Sequence, residues 1–286
     1  MIITITCNPA IDKTVYEDKT VFDIGGKGIN VAKVLKQMNT DCITTGFVGK
    51  ENKDLVINDL NGLYIENHFI EVDGKVRTNT KKIIDNKLFE ENEKGPIITD
   101  NDKERLLDYL KQFNNKIVVL SGSCTNNIYY DLVDLLKKNN NYVILDCDGN
   151  LLANGIKARP DGIKPNKKEI CSLLNCDYDE DRIIEEVKKL SIDLVCVSLG
   201  EEGALFISKN EVYKAKAMAV EYKSATGAGD SMVAAMAYSK QNNLDIIETI
   251  KLAVACASAA CETEGTKAPN MEAILIKKER VEIIKL

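Results

Sequence analysis

The segment 224–237 places one carboxylate among small residues and bare backbone amides. It reads Ser-Ala-Thr-Gly-Ala-Gly-Asp and continues into a strongly helix-forming run from Ser231. Because glycine allows backbone angles closed to other residues, the pattern predicts a loop that leads into the first turn of a helix. Amides and the helix dipole favour an anion there, and Asp230 could accept a proton from a hydroxyl group. The pattern indicates phosphoryl transfer, with an ordinary N-cap by Asp230 as the structural alternative.

A second glycine-rich turn lies near the N-terminus. Residues 23–32 read Asp-Ile-Gly-Gly-Lys-Gly-Ile-Asn-Val-Ala and open an apolar-periodic helix that runs to about Met38. Two such turns suggest two ends of one substrate. The segment matches neither the Walker loop nor the dinucleotide-binding fingerprint, so the common ATP and NAD signatures are absent.

Six motifs follow one another in register over residues 4–266, and together they resemble a known family. They are Asn8-Pro9-Ala10-Ile11-Asp12, 25–32 (Gly-Gly-Lys-Gly-Ile-Asn-Val-Ala), Ser121-Gly122-Ser123, 164–169 (Lys-Pro-Asn-Lys-Lys-Glu), 198–204 (Ser-Leu-Gly-Glu-Glu-Gly-Ala) and 226–230 (Thr-Gly-Ala-Gly-Asp). From end to end, the chain resembles the phosphofructokinase-B family of ribokinase-like sugar kinases. The first two motifs are most similar to the branch that acts on phosphorylated ketohexoses, the 1-phosphofructokinases and tagatose-6-phosphate kinases.

This resemblance implies an ATP- and Mg²⁺-dependent kinase of a phosphorylated ketohexose. The expected reaction converts fructose 1-phosphate to fructose 1,6-bisphosphate. Tagatose 6-phosphate and fructose 6-phosphate remain alternative acceptors, because no residue spacing decides which end of the sugar carries the phosphate. A catalytically silent sugar-phosphate-binding protein and a kinase of an unphosphorylated sugar or nucleoside are further alternatives.

Phosphoryl transfer depends on positioning and charge stabilisation, so each expected part has candidate residues. We expect Asp230 to be the base, with the amides of Gly227, Ala228 and Gly229 stabilising charge on the transferred group. The resemblance implies that the sugar is bound by Asp12, Gly26, Asn30 and Ser123. Lys27 and Arg77 would hold the phosphate already on the sugar, Arg77 by bidentate contact.

The nucleotide side is expected in the later motifs. The resemblance implies nucleotide binding by Lys164, Asn166, Glu169, Ser198, Gly200 and Gly203. No direct metal ligand is expected, and Glu169 would organise Mg²⁺ through its waters. Helix capping by the Asn-x-x-Glu pair and simple turn roles for the glycines are the structural alternatives.

Composition limits the class of protein. The 286 residues are 44% hydrophobic and 29% charged, and the net charge is −6. The hydrophobic and charged fractions are typical of globular proteins, and the negative net charge argues against a nucleic-acid surface. No apolar stretch approaches the roughly 20 residues that span a bilayer. No basic segment precedes the first apolar residues, so we expect a cytoplasmic protein.

The cysteines, the histidine and the cations narrow the chemistry further. The chain has nine cysteines without a Cys-x-x-Cys pair, which favours buried thiols over zinc or disulfides. Its single histidine, His68, is isolated, so any proton acceptor should be a carboxylate. In an acidic chain an anionic substrate needs local cations, and Lys27, Arg77 and Lys81 are the candidates.

Alternating strands and helices predict an α/β fold. Apolar runs at 2–6, 43–47, 117–121, 142–146 and 194–198 are typical of buried strands, and helical periodicity follows at 28–38, 102–113, 127–139, 167–174 and 179–190. The pattern predicts one domain over 1–286 with a mostly parallel sheet covered by helices. Several motifs come directly after strands, where open α/β sheets bind their ligands.

One region departs from this alternation. Asp73-Gly74 separates two strand-like segments within 68–91, which predicts a β-hairpin. With the strand-like segment 13–22 it could form a small separate sheet. The resemblance implies a lid of this kind over the sugar site, often paired with its twin in a homodimer.

Three further segments bear on the substrate pockets. After Ser121-Gly122-Ser123 the family's usual proline-rich continuation is replaced by 124–127, Cys-Thr-Asn-Asn, and residues 89–96 fit the family only loosely. Both departures flank the sugar site and leave the acceptor open. The small-residue helix at 253–260 is either a wall of the adenine pocket, as the resemblance implies, or a tightly packed core helix.

Overall fold

The computed structural model describes residues 1–84 and 87–286, which form two β-sheets and the helices between them. The strands are β1 (Ile2–Thr6), β2 (Ala10–Val15), β3 (Thr20–Gly25), β4 (Cys42–Glu51), β5 (Glu66–Lys75), β6 (Arg77–Ile84), β7 (Lys87–Asn92), β8 (Ile117–Ser121), β9 (Tyr142–Asp146), β10 (Gly162–Ile163), β11 (Leu194–Ser198), β12 (Ala204–Ser208), β13 (Val212–Ala215) and β14 (Ile283–Lys285). The helices are α1 (Lys27–Gln37), α2 (Lys53–Gly62), α3 (Asp100–Leu110), α4 (Tyr129–Lys138), α5 (Gly149–Gly155), α6 (Lys167–Leu174), α7 (Glu180–Lys189), α8 (Ala228–Gln241), α9 (Ile246–Cys261) and α10 (Met271–Lys278).

The main sheet has ten strands in the order β14-β13-β12-β11-β10-β9-β8-β1-β4-β5. Pairing is parallel from β5 to β11 and antiparallel from β11 to β14. Successive residues of β1 bury on opposite faces, since Ile2 packs in the cluster that contains α1, α8 and α9, whereas Ile3 packs with α3, α4 and α7. Helices thus cover both faces, which confirms the predicted α/β fold.

Each of the five predicted strands is present. The structure starts the 43–47 strand one residue earlier and extends it to Glu51, and the other four have the predicted bounds. The predicted helices correspond to α1, α3, α4, α6 and α7, with ends that differ by up to three residues. The small-residue segment 253–260 lies within α9, which packs against α8.

A separate four-stranded sheet in the order β3-β2-β6-β7 confirms that the molecule has a small second sheet. The segment predicted as strand-like over 13–22 is a hairpin, since β2 and β3 pair antiparallel around the turn closed by Tyr16 and Lys19. Strand β6 joins this hairpin by pairing parallel to β2, and β7 pairs antiparallel to β6.

The predicted hairpin at Asp73-Gly74 is wrong. Both residues lie inside β5, which pairs parallel with β4 at the edge of the main sheet, while β6 belongs to the small sheet. Val72 and Val76 are buried, so the chain passes from one sheet to the other through a packed joint and not through an exposed turn. The small sheet is therefore built from 10–25 and 77–92 and not from 68–75. Asp85 and Asn86, within the predicted lid, lie outside the described residues.

The chain enters the small sheet from the carboxyl ends of two main-sheet strands, β1 and β5. Strand β2 follows β1 after three residues, β3 leads through Gly26 into α1, and Val76 alone separates β5 from β6. The side-chain amine of Lys81 on β6 donates to the Thr226 hydroxyl at 3.1 Å, directly before α8. The small sheet therefore lies over the edge where the sequence motifs meet. No helix in the described part of the chain is long and apolar enough to cross a membrane.

Candidate active site

Helix α8 begins as the sequence predicts. Gly227 is its N-cap with a φ of 85°, a left-handed conformation that favours glycine, and Asp230 lies in the first turn. The amide of Ala228 donates to the Ala225 carbonyl at 3.3 Å. Among the described residues, the amides of Gly227 and Gly229 have no acceptor, so these two are open to an anion at the positive end of the helix.

Helix α1 brings a second polar group to this turn. Its N-cap is Gly26, with a φ of 115°. At Gly28 a side chain would collide with Thr6 and the Ile5 carbonyl, so glycine lets α1 pack closely on β1. One turn into the helix, the amide nitrogen of Asn30 donates to Asp230 Oδ2 at 2.7 Å. This buried bond fixes the orientation of the Asp230 carboxylate.

Two lysines and a second aspartate lie next to this pair. Asp146, the last residue of β9, is 1% exposed; its Oδ1 accepts from Lys27 Nζ at 3.2 Å and forms an ion pair with Lys164 Nζ at 3.4 Å. Lys164 follows β10 and is itself 5% exposed. The chain therefore concentrates two carboxylates and two ammonium groups at the carboxyl edge of the sheet.

These charges set the protonation of Asp230. Burial, and then the negative charge of Asp146, raise the pKa of Asp230 to about 6, against the opposing effects of Asn30, Lys27 and Lys164. Burial alone would lower the pKa of Lys27, but Asp146, Asp230 and Glu169 raise it above its ordinary value. At neutral pH the site thus holds a carboxylate base beside a firmly charged ammonium group.

The small sheet turns one face toward this site. Asp12, Arg77, Asn79 and Lys81 share that face in the register of β2 and β6. The amide nitrogen of Asn79 donates to Asp12 Oδ1 at 2.8 Å. Burial raises the pKa of Asp12, although Asn79, Lys81 and Arg77 oppose it. The Nε of Arg77 is buried and has no hydrogen-bond partner among the described residues, so the guanidinium retains capacity for a ligand.

Ser123 lies at another side of the site. It follows β8, and its hydroxyl accepts from the Asn8 amide nitrogen at 3.2 Å. The same nitrogen donates to the Lys94 carbonyl at 2.9 Å. Asn8 therefore ties the loop after β1 to the loops that carry Ser123 and Lys94, both of which depart from the family pattern.

The nucleotide-side candidates form a further group around the start of α6. Asn166 is the N-cap: its side chain accepts from the Glu169 amide at 2.8 Å, and Glu169 Oε2 accepts from the Asn166 amide at 2.7 Å. Ser198, the last residue of β11, forms an isolated parallel β-bridge with Asn166. The capping box satisfies one carboxylate oxygen of Glu169, so capping and ligand binding are compatible there.

Gly200 and Gly203 shape the turn that follows β11. They have φ angles of 62° and 97°. A side chain at Gly203 would collide with the backbone of Ala215 and Ala217, whereas one at Gly200 would meet nothing. Gly203 is thus required by packing between β12 and β13.

The structure brings four predicted residues, Asp230, Asn30, Lys27 and Lys164, into one cluster, although the sequence assigned them to different ligands. Asp12 and Arg77 lie together on the small sheet. Sequence reasoning missed Asp146, Asn8 and Asn79 as site residues. The position of Asp146 at the end of a predicted strand was a usable signal, because ligand crevices lie there.

The comparisons with known proteins identify the family. The family model described as pfkB family carbohydrate kinase matches residues 1–273. The chain belongs to the pfkB family of carbohydrate kinases. It is a phosphotransferase whose acceptor is an alcohol group of a sugar.

Named relatives extend over nearly the whole chain. It is 31% identical to the 1-phosphofructokinase of Escherichia coli K12, with 96% of each chain covered. It is 29% identical to the 1-phosphofructokinase of Haloferax volcanii, over 99% of this chain and 98% of the relative. A solved structure of a putative phosphofructokinase from Staphylococcus aureus matches with a TM-score of 0.88 and 30% identity, covering 100% of this chain and 99% of that one.

Proposed function

We propose that the protein transfers a phosphoryl group from ATP to fructose 1-phosphate and so forms fructose 1,6-bisphosphate. The observation that carries this proposal is the buried cluster at the start of α8, where Asp230 accepts from Asn30 beside Lys27 and Lys164. A base, open amides and cations at one point are the parts that phosphoryl transfer needs.

In this proposal Asp230 accepts the proton of the attacking sugar hydroxyl. With a pKa of about 6, Asp230 is mostly ionised at neutral pH yet more basic than an ordinary aspartate. The amides of Gly227 and Gly229 stabilise negative charge on the transferred group, and Ala228 contributes by releasing its long bond to Ala225. Lys27 and Lys164 compensate the remaining charge.

The sugar lies between the small sheet and α1. Asp12 and Asn30 hydrogen-bond its hydroxyls, with the Gly26 backbone against the ring and Ser123 beside it. Arg77 holds the phosphate already on the sugar, because its Nε is buried and free of protein partners among the described residues. Lys27 also serves this phosphate, as a second cation between the two anionic groups.

The nucleotide lies along Asn166, Ser198 and the turn from Gly200 to Gly203. Within residues 1–84 and 87–286 no group of three or more His, Cys, Asp or Glu side chains is arranged to hold a metal ion. Glu169 keeps one oxygen free of its capping box, which fits a Mg²⁺ ion held mainly by phosphate oxygens and water. Such an ion would neutralise charge on the nucleotide phosphates.

The choice of acceptor depends on the relatives. Those at 29–31% identity over nearly full length are named 1-phosphofructokinases, which favours fructose 1-phosphate over the 6-phosphates. We also propose that two chains pair through the small sheet. Phe22 and Phe89 are 61% and 55% exposed, and the register places them on the sheet face opposite Asp12 and Asn79.

The first experiment compares acceptors in a coupled assay of ADP release with Mg-ATP. Fructose 1-phosphate, fructose 6-phosphate, tagatose 6-phosphate and free fructose are assayed side by side. We expect the highest kcat/KM on fructose 1-phosphate. A preference for a 6-phosphate would keep the mechanism and change the acceptor, and no turnover on any of them would reject the proposal.

The Asp230→Asn variant tests the assigned base in the same assay. We expect kcat to fall by roughly 10²- to 10⁴-fold, the usual contribution of general base catalysis, while fructose 1-phosphate still binds. Binding is followed by calorimetry with the variant. Turnover close to that of the wild type would remove Asp230 from the mechanism.

A further inference from the structure

Asp146 is the one residue of the central cluster to which the proposed reaction gives no role. Its side chain is 1% exposed, and both lysine contacts converge on Oδ1. Its Oδ2 is buried and has no hydrogen-bond partner among the described residues. A buried carboxylate with an unused oxygen is costly unless nearby cations compensate it, so the arrangement depends on the two lysines.

The lysines reach Asp146 from different elements. Lys27 comes from the first residue of α1, and Lys164 comes from the segment after β10. A Cβ atom at Gly229 would lie 3.1 Å from Lys164 Nζ, so the Lys164 ammonium group lies against the first turn of α8. Without an anion between them, two ammonium groups in this buried space would repel each other and turn away.

We infer that Asp146 is a positioning residue, whose carboxylate holds the ammonium groups of Lys27 and Lys164 beside the point where Asp230 meets the transferred phosphoryl group. This inference rests on the proposed function. Asp146 itself contacts neither the hydroxyl nor the phosphoryl group, and it acts through the two lysines.

The same carboxylate influences Asp230. The groups that face Asp230 are Asn30 and Lys27 from α1, Asp146 from β9 and Lys164 after β10. Among them only Asp146 is anionic, and it raises the pKa of Asp230, after the larger effect of burial. Loss of the Asp146 charge removes this raising effect, and release of the two lysines removes two effects that lower the pKa of Asp230, so the pKa of the base should change.

The test is the Asp146→Asn variant, assayed for kcat, both KM values and the pH profile of kcat/KM. We expect kcat to fall roughly 10- to 100-fold, since misplacement by about 1 Å can cost a factor of 10². The KM for ATP or the sugar should rise, and the acid limb of the pH profile should shift from its wild-type position. A merely structural role would leave that limb unchanged.

A conservative variant covers the case in which Asp146→Asn does not fold, as judged by circular dichroism. Asp146→Glu keeps a charge for both lysines but displaces the carboxylate by one methylene group. We expect it to fold and to keep the acid limb near that of the wild type, with a lowered kcat. Wild-type kcat, KM and acid limb in folded Asp146→Asn, or wild-type kcat and KM in folded Asp146→Glu, would overturn the inference.

Asp161→Asn is the matched control. Asp161 is another largely buried aspartate paired with a lysine, Lys137, and it accepts from the Val143 amide at the opposite end of the sheet. This variant should keep the wild-type pH profile. The Asp230→Asn variant separates the positioning role of Asp146 from the proposed function. If Asp230→Asn is inactive while Asp146→Asn behaves as wild type, only the positioning role fails. If Asp230→Asn is fully active, the proposed function fails.

Discussion

Asp230 is subject to opposing influences on its charge. Its position in the first turn of α8 favours the carboxylate through the helix dipole, while burial to 7% exposure and the nearby Asp146 favour the neutral acid. The outcome is a pKa of about 6. A base with this pKa is ionised at neutral pH and still accepts a proton readily, which suits general base catalysis.

The activity of the wild type should depend on pH through the ionisation of Asp230. Because the base must be ionised, kcat/KM should be constant above neutrality and fall as pH decreases through about 6. The coupled ADP assay between pH 5 and pH 8, with the coupling enzymes in excess, measures this. A profile that stays flat down to pH 5 would contradict the raised pKa.

The second prediction concerns stability. The pKa of Asp230 is higher in the folded state, about 6, than the ordinary 3.8, so its ionisation costs folding free energy that develops as pH rises from about 3.8 to about 6 and is complete above that range. Asp230→Asn should therefore be more stable than the wild type at pH 8, by about 3 kcal/mol. The advantage should shrink toward pH 5. Urea unfolding at both pH values measures it, and an equal difference at both would exclude this cause.

Sequence alone identified the residues of the two glycine turns because their chemistry is local. Glycines before a helix start and Asp230 in its first turn are recognisable within a few positions. The ion pairs of Asp146 with Lys27 and Lys164 were not predictable, because they join residues from α1, β9 and the segment after β10 that meet only in the folded sheet.

At the scale of elements, α1 and α8 act as a pair. Each starts at a glycine with positive φ, and each directs one polar side chain from its first turns toward the other, as the bond from Asn30 to Asp230 shows. Small residues at the α8 start let Lys164 approach, since a Cβ atom at Gly229 would lie only 3.1 Å from Lys164 Nζ. The geometry of the site therefore depends on close packing of these helix ends.

The prediction at this scale is that Gly229→Ala lowers kcat by roughly 10-fold or more. Its Cβ would crowd Lys164 Nζ at 3.1 Å, and the ammonium group would have to shift by a few tenths of an ångström from its place beside α8. The control is Gly62→Ala in α2, where an added Cβ meets nothing within 4 Å and activity should not change. Steady-state kinetics and melting temperatures are compared, and an unchanged kcat in folded Gly229→Ala would show that Lys164 can yield without consequence.

The chain around Asp73-Gly74 does not form the predicted hairpin, because tertiary burial overrides the local turn signal. Asp73-Gly74 is a typical turn sequence, and residues on both sides are in strands, as expected. Which strands pair is decided by burial: Val72 belongs to the core of the main sheet, and Val76 packs in the cluster on its other face. Gly74, with a φ of 109°, lies in β5, where the pairing with β4 shifts register.

In the whole molecule, five strands of the parallel part of the main sheet, β1, β4, β8, β9 and β11, were predictable because they are apolar runs separated by periodic helices, whereas β5 and the two-residue β10 were not predicted there. The antiparallel strands β12 to β14 were not predicted. They are short, and β14 comes from the far end of the chain to pair with β13. Their positions depend on tertiary structure, because β12 pairs with the free edge of β11, and β13 and β14 then add to β12 in turn.

The prediction for the whole molecule is a homodimer through the outer face of the small sheet. Phe22 and Phe89 are exposed there, and large exposed aromatic side chains on one face indicate a partner surface. Sedimentation velocity should give the mass of two chains for the wild type and of one chain for Phe22→Ser with Phe89→Ser. The control is Tyr64→Ser. Tyr64 is 85% exposed but lies outside the small sheet, so this variant should leave the mass unchanged. A wild-type monomer would contradict the proposal.

The small sheet is assembled from two stretches of chain that are remote from each other. Asp12 and Asn79, which bond across β2 and β6, are 67 positions apart, and α1, β4, α2 and β5 lie between them. Closing so long a loop costs entropy unless the main sheet has already brought both stretches to its edge. Folding should therefore complete this sheet late, and in the native protein its amides should exchange with solvent deuterium through local openings that leave the main sheet intact.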